Sequence, residues 1–409
     1  MGGITLRATR GIVATSAAVA SILLAAGCGS SSGSSSSSTS STSSSPAASS
    51  SSSASSSSSP SPAASVNAAT ATSAAAVGGM AGLIAAAKAE GQLNVITLPD
   101  NWANYGTIMK DFTAKYGIKI TDANPEGSSQ DELNAIAQLK GQSRAPDVVD
   151  VGGAFAVKGE QAGDWASYQV QTWSSIPAAA KAANGDYYAD YGGYVAIGYD
   201  PSKVKTPPTS FKSLLNPIYH NQVAIDGNPN QTGSAFAAVY AAALANGGSL
   251  ADIGPGVSYF KQLHQAGNFV PVLGTPATVQ SGQTPILIWW DYLLASEVKS
   301  VVKDLKIVIP SDAQYAGYYY QAISKYAPHP AAARLWEEYL YSVEGQNLWL
   351  QGAARPIEMG SLMTAGTVDK SAAAALPSVP GSGTLVLPST AQTTTAENVV
   401  AQQWPSVTS

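Results

Sequence analysis

The sequence is poor in the residues that redox and metal chemistry use. Its 409 residues include one cysteine, Cys28, and three histidines. A lone thiol allows no intramolecular disulfide and no dithiol couple, so redox catalysis is excluded. His220, His264 and His329 stand far apart without metal-ligand spacing, which argues against a zinc site, and no cofactor is expected. Charge is sparse as well, at 11% of residues with a net −5. No basic stripe appears, so nucleic acid and an anionic membrane surface are not expected as partners. Beyond the amino-terminal segment, no apolar run is long enough to cross a bilayer.

What is present starts with an export signal. Arg7 and Arg10 precede an apolar stretch, Gly11 to Ala26, which is short for a membrane span. Leu24-Ala25-Ala26-Gly27-Cys28 resembles the cleavage box of bacterial lipoproteins, which implies that Cys28 carries lipid and anchors the chain to the outer face of the cytoplasmic membrane. Residues 29–76 read as a tether, nearly all serine as far as Val66, with too little apolar surface to offset the entropy of ordering. A flexible coil of the 38 residues from Gly29 to Val66 spans about 35 Å. Gly29-Ser30-Ser31-Ser32-Gly33 matches a nucleophile-elbow pattern, but no strand precedes it and no helix follows, so it carries no catalytic reading.

The remainder exceeds what one hydrophobic core usually supports, so two domains are expected. Helix and strand alternate: a helix from Ala81 to Glu90 stopped by Gly91, a strand Leu93–Leu98, a helix Tyr105–Tyr116 stopped by Gly117, and a strand at Ile118–Ile120. Ser129 is expected to cap the next helix with Glu132 as reciprocal partner, and a strand follows at Asp147–Val151. This order predicts an α/β fold with a mostly parallel sheet, whose ligand sits at the loops beyond the strand ends. Glycine and aromatic residues at Tyr191–Tyr199 mark a crossing into a second lobe, with glycines to absorb hinge rotation. Residues 77–197 and 306–409 are assigned to lobe I and 198–305 to lobe II. The return crossing is placed at Lys306–Pro310, and the residues after Gly360 form a loose end running to Trp404.

At this point the chain resembles the extracellular solute-binding proteins of ABC importers, over about residues 91–404. The most specific stretch is 322–346, running from Ala322-Ile323-Ser324 through Pro328-His329-Pro330 to Ser342-Val343-Glu344-Gly345-Gln346. Asn101-Trp102-Ala103-Asn104-Tyr105-Gly106 and Ile288-Trp289-Trp290-Asp291-Tyr292 are most similar to members assigned to spermidine/putrescine transport. The resemblance implies the two-lobed periplasmic-binding-protein type 2 fold with two crossovers. It also implies a monomer that hands a small solute to an ABC permease and its ATPase without catalysis. The chain departs from polyamine-binding members at Tyr319-Tyr320, where those carry an aspartate, and lacks their acidic residues near 228–232.

Aromatic walls and a few polar groups are what a small-molecule cleft needs. The expected loops supply Trp102, Tyr105, Phe155, Tyr191, Trp290, Tyr292 and Tyr319 as rings, Asp100, Asp190 and Asp291 as carboxylates, and Ser129. Acids outnumber bases there: Asp100, Glu126, Asp131, Glu160, Asp190, Asp226 and Asp291 against Lys158, whereas the whole chain has 26 against 21. A cationic or amine-bearing solute is therefore expected. Two alternatives stay open: ferric iron held by the phenols of Tyr319-Tyr320 or Tyr187-Tyr188, and a glycan hydrolase using paired carboxylates.

Overall fold

A computed structural model describes residues 67–380 and 387–408. The expected export signal, Cys28 and the serine run lie outside them. Residues 67–76, assigned to the tether by composition, instead form, together with Val77, two 3-10 turns on the folded body, with Ala71, Ala74 and Val77 buried. Arg334 holds them, its Nε donating to the Ala71 carbonyl at 2.7 Å and its Nη2 to the Ala69 carbonyl at 3.0 Å.

The first lobe opens with α1 (Gly79–Glu90), β1 (Gln92–Ile96), α2 (Tyr105–Tyr116), β2 (Lys119–Ala123), α3 (Ser129–Leu139), β3 (Val148–Gly152), α4 (Gly153–Ala162) and β4 (Trp165–Ala166). Gly91 and Gly117 end α1 and α2 in the left-handed conformation, as their sequence positions predict. β1 and β2 pair in parallel. Asn94 of β1 couples to the start of β3, its N–H donating to Asp147 Oδ2 at 2.6 Å while its carbonyl accepts from the Asp147 N–H at 2.8 Å.

Strand β5 (Tyr188–Tyr199) is the first crossing. Lobe II follows with β6 (Val223–Ile225), α5 (Gly233–Ala245), α6 (Gly254–Gln265), β7 (Phe269–Leu273), α7 (Pro276–Ser281) and β8 (Ile286–Trp290). Next come α8 (Asp291–Leu293), a π-wound turn at Leu294–Val298, α9 (Lys299–Val301) and β9 (Lys306–Val308). α5 is buried on every face, which suits its run of alanines. β10 (Ala316–Ser324) then returns to lobe I, followed by α10 (Pro330–Leu340), α11 (Val343–Gln351), β11 (Arg355–Pro356), α12 (Met359–Ala365), α13 (Lys370–Ala374) and α14 (Thr390–Gln403).

The main sheet has the order β3-β10-β5-β8-β6-β7. Residues Tyr188–Tyr194 of β5 pair with β10, and Val195–Tyr199 pair with β8 and β9, so one twelve-residue strand belongs to both lobes. The return crossing therefore follows β9 and runs into β10, later than the sequence pattern placed it. The glycines of β5 also act differently from the expected hinge. A Cβ on Gly192 would lie 2.1 Å from the Gly317 carbonyl and one on Gly193 2.2 Å from Asp291 Oδ1, so crowding demands glycine here. The carboxy-terminal residues are helical, and the chain crosses between the lobes a third time to reach lobe II again, where Trp404 packs on Phe260.

Candidate functional site

A cleft of 490 Å³ lies between the lobes at the strand ends. Lobe I contributes Trp102 from the loop after β1, the first turn of α3, and Asp150 of β3. Lobe II contributes Asp226 after β6, the start of α5, Trp289 of β8 and Glu297 of the π-wound turn, and Tyr319 of β10 completes the wall. π turns are rare and frequently found at functional sites, and this one presents a carboxylate to the cleft.

The cap of α3 sits one residue earlier than expected. Ser128 Oγ accepts from the Asp131 N–H, and Asp131 answers to the Ser128 N–H at 2.9 Å. That shift turns Ser129 and Glu132 inward. Ser129 Oγ accepts the Gly152 N–H at 3.2 Å, and Glu132 Oε2 accepts the Asp150 N–H at 3.0 Å. Glu132 is 1% exposed and its Oε1 has no partner. Asp150 Oδ2 takes the hydroxyls of Tyr105 and Tyr191, each at 2.7 Å, and its Oδ1 is likewise unpartnered. Burial pushes both carboxyls above the usual range.

Lobe II presents a second acidic pole. Asp226 Oδ2 accepts the Trp289 indole N–H at 3.1 Å and the Ser234 hydroxyl. Burial pushes Asp226 up to about 6 despite those donors. Glu297, with Oε1 unpartnered, rises to about 8 through burial, then through the charges of Asp226 and Glu126. The two poles meet over an aromatic floor. Trp102 and Trp289 touch edge to face with centroids 5.8 Å apart, and Trp102 lies 5.6 Å from Tyr319. Each indole is tied to its own lobe's carboxylate: Trp289 directly to Asp226, and Trp102 through the Tyr191 hydroxyl at 2.7 Å to Asp150. The cleft lining holds six carboxylates, Glu126, Asp131, Glu132, Asp150, Asp226 and Glu297, and no lysine, arginine or histidine.

The lobes touch across this cleft. The Gln130 N–H donates to the Gln231 carbonyl at 3.2 Å, and Gly152 meets Gly233 so closely that a Cβ on Gly233 would stand 2.8 Å from the Gly152 Cα.

Of the sequence-nominated residues, Trp102, Ser129 and Tyr319 line the cleft. Tyr105, Tyr191 and Asp190 form the layer beneath it: Gln321 Nε2 donates to the Tyr105 hydroxyl at 3.0 Å and to Asp190 Oδ2 at 2.9 Å, and Asp190 is wholly buried. Tyr292 is buried against Tyr191 and Trp290. Asp291 does not reach the cleft, since Arg355 Nη1 occupies its Oδ2 at 2.5 Å and the Tyr194 N–H its Oδ1 at 2.8 Å. Trp290, next to Trp289 on the strand, faces the other side and lines a rear cavity of 270 Å³. Phe155 is buried in lobe I beneath Lys158, and Asp100 is exposed outside the lining.

Strand alternation also separates the tyrosine pairs. Tyr319 faces the cleft, whereas Tyr320 lines the rear cavity beside Tyr187, with ring centroids 5.7 Å apart. Burial raises the Tyr319 phenol rather than favouring a phenolate. Among the described residues, no group of three or more His, Cys, Asp or Glu is arranged to hold a metal. The sequence reading did not nominate Glu132, Asp150, Asp226, Trp289 or Glu297. Asp150 did leave a signal, as an acid inside the apolar strand Val148–Val151.

Two α/β lobes that share a strand and close on a polar, ring-floored cleft define a two-lobed periplasmic binding protein. Residues 143–381 match the bacterial extracellular solute-binding proteins, and the chain belongs to that family. No curated protein sequence matches it. Among solved structures, AfuA of Actinobacillus pleuropneumoniae with bound fructose-6-phosphate is similar at a TM-score of 0.62 and 18% identity, over 77% of this chain and 99% of that one. Iron-bound HitA of Pseudomonas aeruginosa is similar at 0.55 and 18% identity, over 77% and 99%. A Listeria monocytogenes protein assigned to spermidine/putrescine ABC transport is similar at 0.55 and 14% identity, over 76% and 98%. These likenesses are of fold.

Proposed function

We propose that this protein captures a small cationic, amine-bearing solute of polyamine type and delivers it to an ABC permease, catalysing nothing itself. The reading rests on one observation: the cleft is walled by six carboxylates without a single basic side chain. Three of those carboxylates, Glu132, Asp150 and Glu297, keep an oxygen without a partner, and Glu132 and Asp150 are almost fully buried. An unpaired buried carboxylate is costly, and an ammonium supplies both the counter-charge and the missing donors. Trp102, Trp289 and Tyr319 offer ring faces to the methylenes and the cation, at about 0.5–2 kcal/mol for a ring near a cation. An anion would meet repulsion from both poles.

Titration calorimetry with putrescine and spermidine tests this, beside fructose-6-phosphate and ferric citrate. Amine binding that weakens about tenfold or more in Asp226→Asn supports it, in line with the worth of a charged hydrogen bond. Silence toward amines together with tight binding of the sugar phosphate overturns it, and turnover of a chromogenic glycoside overturns the non-catalytic part. Lipid attachment at Cys28 belongs to the same reading, and loss of membrane retention in Cys28→Ser checks it. Elution as a single copy in size-exclusion chromatography with light scattering is the matching expectation for a monomer.

A further inference from the structure

The carboxy-terminal helix joins the two lobes by interfaces of opposite character. Toward lobe II the contact is largely apolar and buried, with one polar contact, the Tyr240 hydroxyl donating to the Gln392 carbonyl at 3.4 Å. The Trp404 ring lies 5.5 Å from Phe260 and 6.4 Å from Phe269, and Val400 and Val407 of the same segment are buried. Toward lobe I the contact is polar and reversible. Lys158 Nζ of α4 stands 3.4 Å from Glu397, Gln161 Nε2 donates to Thr394 Oγ1 at 3.0 Å, and the Tyr187 hydroxyl lies 3.4 Å from Thr390 Oγ1. The start of α14 also roofs the rear cavity, whose walls come from α4, α5 and β10, so the helix bridges the seam behind the cleft.

The two interfaces differ in how they respond to motion. Burying an indole and two valines fixes a helix to its support through many dispersion contacts that a small slide would lose together. A partly exposed ion pair and two neutral hydrogen bonds are each worth little and exchange readily with water. When the angle between the lobes changes, α14 must break with one of them, and the weaker side is lobe I.

We propose that α14 is a latch: it travels with lobe II and, through Lys158, Gln161 and Tyr187, holds lobe I in the closed arrangement, so its polar contacts set the closed-to-open ratio. The latch acts whichever solute fills the cleft, and its test needs no solute. In the full chain with Cys28→Ser, spin labels at Lys110→Cys in lobe I and Lys303→Cys in lobe II report the interlobe distance. A label at Gln402→Cys reports the position of the helix. Reversing the charge with Lys158→Glu is expected to lower the closed-to-open ratio about fivefold, the scale of an exposed to half-buried ion pair turned repulsive. The change appears in the 110–303 and 110–402 distances, while 303–402 stays fixed. Adding Glu397→Lys to Lys158→Glu is expected to restore the wild-type distribution, which a merely destabilised helix would not do. An unchanged 110–303 distribution, a shift that the double reversal leaves in place, or a helix that keeps its distance to 110 instead of 303 each overturns the latch.

Discussion

Acid should release the solute, and the slope of that release is fixed by the carboxylates around it. Burial holds Asp226 near 6 and Glu297 near 8, so at pH 5 both carry protons in the empty cleft. An alkylammonium keeps its own proton up to about pH 10. Docking it favours the ionised carboxylates, so each group that must give up a proton lowers the apparent affinity about tenfold per pH unit below its pKa. The sign is unambiguous: affinity is full above both values and is lost as pH falls through them. From pH 8 to 6 the logarithm of the association constant should drop with a slope of about 1, carried by Glu297, and below pH 6 with a slope of about 2 as Asp226 joins. By pH 5 the loss amounts to about four decades, three from Glu297 and one from Asp226. These slopes and the four decades count Glu297 and Asp226 alone and are minima, because Asp150, pushed up to about 7 by the same burial, adds to them below pH 7 if it too must ionise. Calorimetry with putrescine in buffers of different ionisation heat reads both quantities, the affinity and the protons released. An affinity that is flat with pH, one that rises in acid, or binding without proton release refutes the reasoning.

Three other outcomes follow from the same geometry. Without solute, the raised carboxyls should make the protein more stable as pH falls from 8 to 5, because the folded state holds protons that the unfolded chain, titrating near pH 4, has already lost; thermal melts across that range check it. Gly233→Ala should weaken putrescine binding about tenfold or more by wedging Gly152 away, and small-angle scattering of the mixture should show a larger radius of gyration, while the urea midpoint moves little. Asp291→Asn should cost about 3–5 kcal/mol in urea denaturation, since it removes the counter-charge of the largely buried Arg355 guanidinium beside β5, yet leave putrescine affinity of the folded protein unchanged.

Much of the frame was legible from local rules. Gly91 and Gly117 stop their helices, and α2 begins and ends at the expected residues, because glycine conformation and apolar spacing act over a few neighbours. The acid excess of the cleft loops could also be counted, and Asp226 was among those counted. Which acids face inward could not. Ser128 instead of Ser129 caps α3, and that single-residue shift moves Glu132 from a capping role into the cleft. Asp291 looked like a cleft carboxylate until Arg355, 64 residues further on, proved to occupy it.

The sequence by itself determined the alternation of helix and strand, the acidic character of the loops and the aromatic supply, all of which depend on composition and on spacing along the chain. Tertiary structure alone decided which of two adjacent tryptophans and two adjacent tyrosines faces the cleft. It also decided which carboxylates are left unpaired and where the carboxy-terminal helix lands. Those outcomes hinge on strand register and on partners distant in sequence, where a shift of one residue sends a side chain to the opposite face.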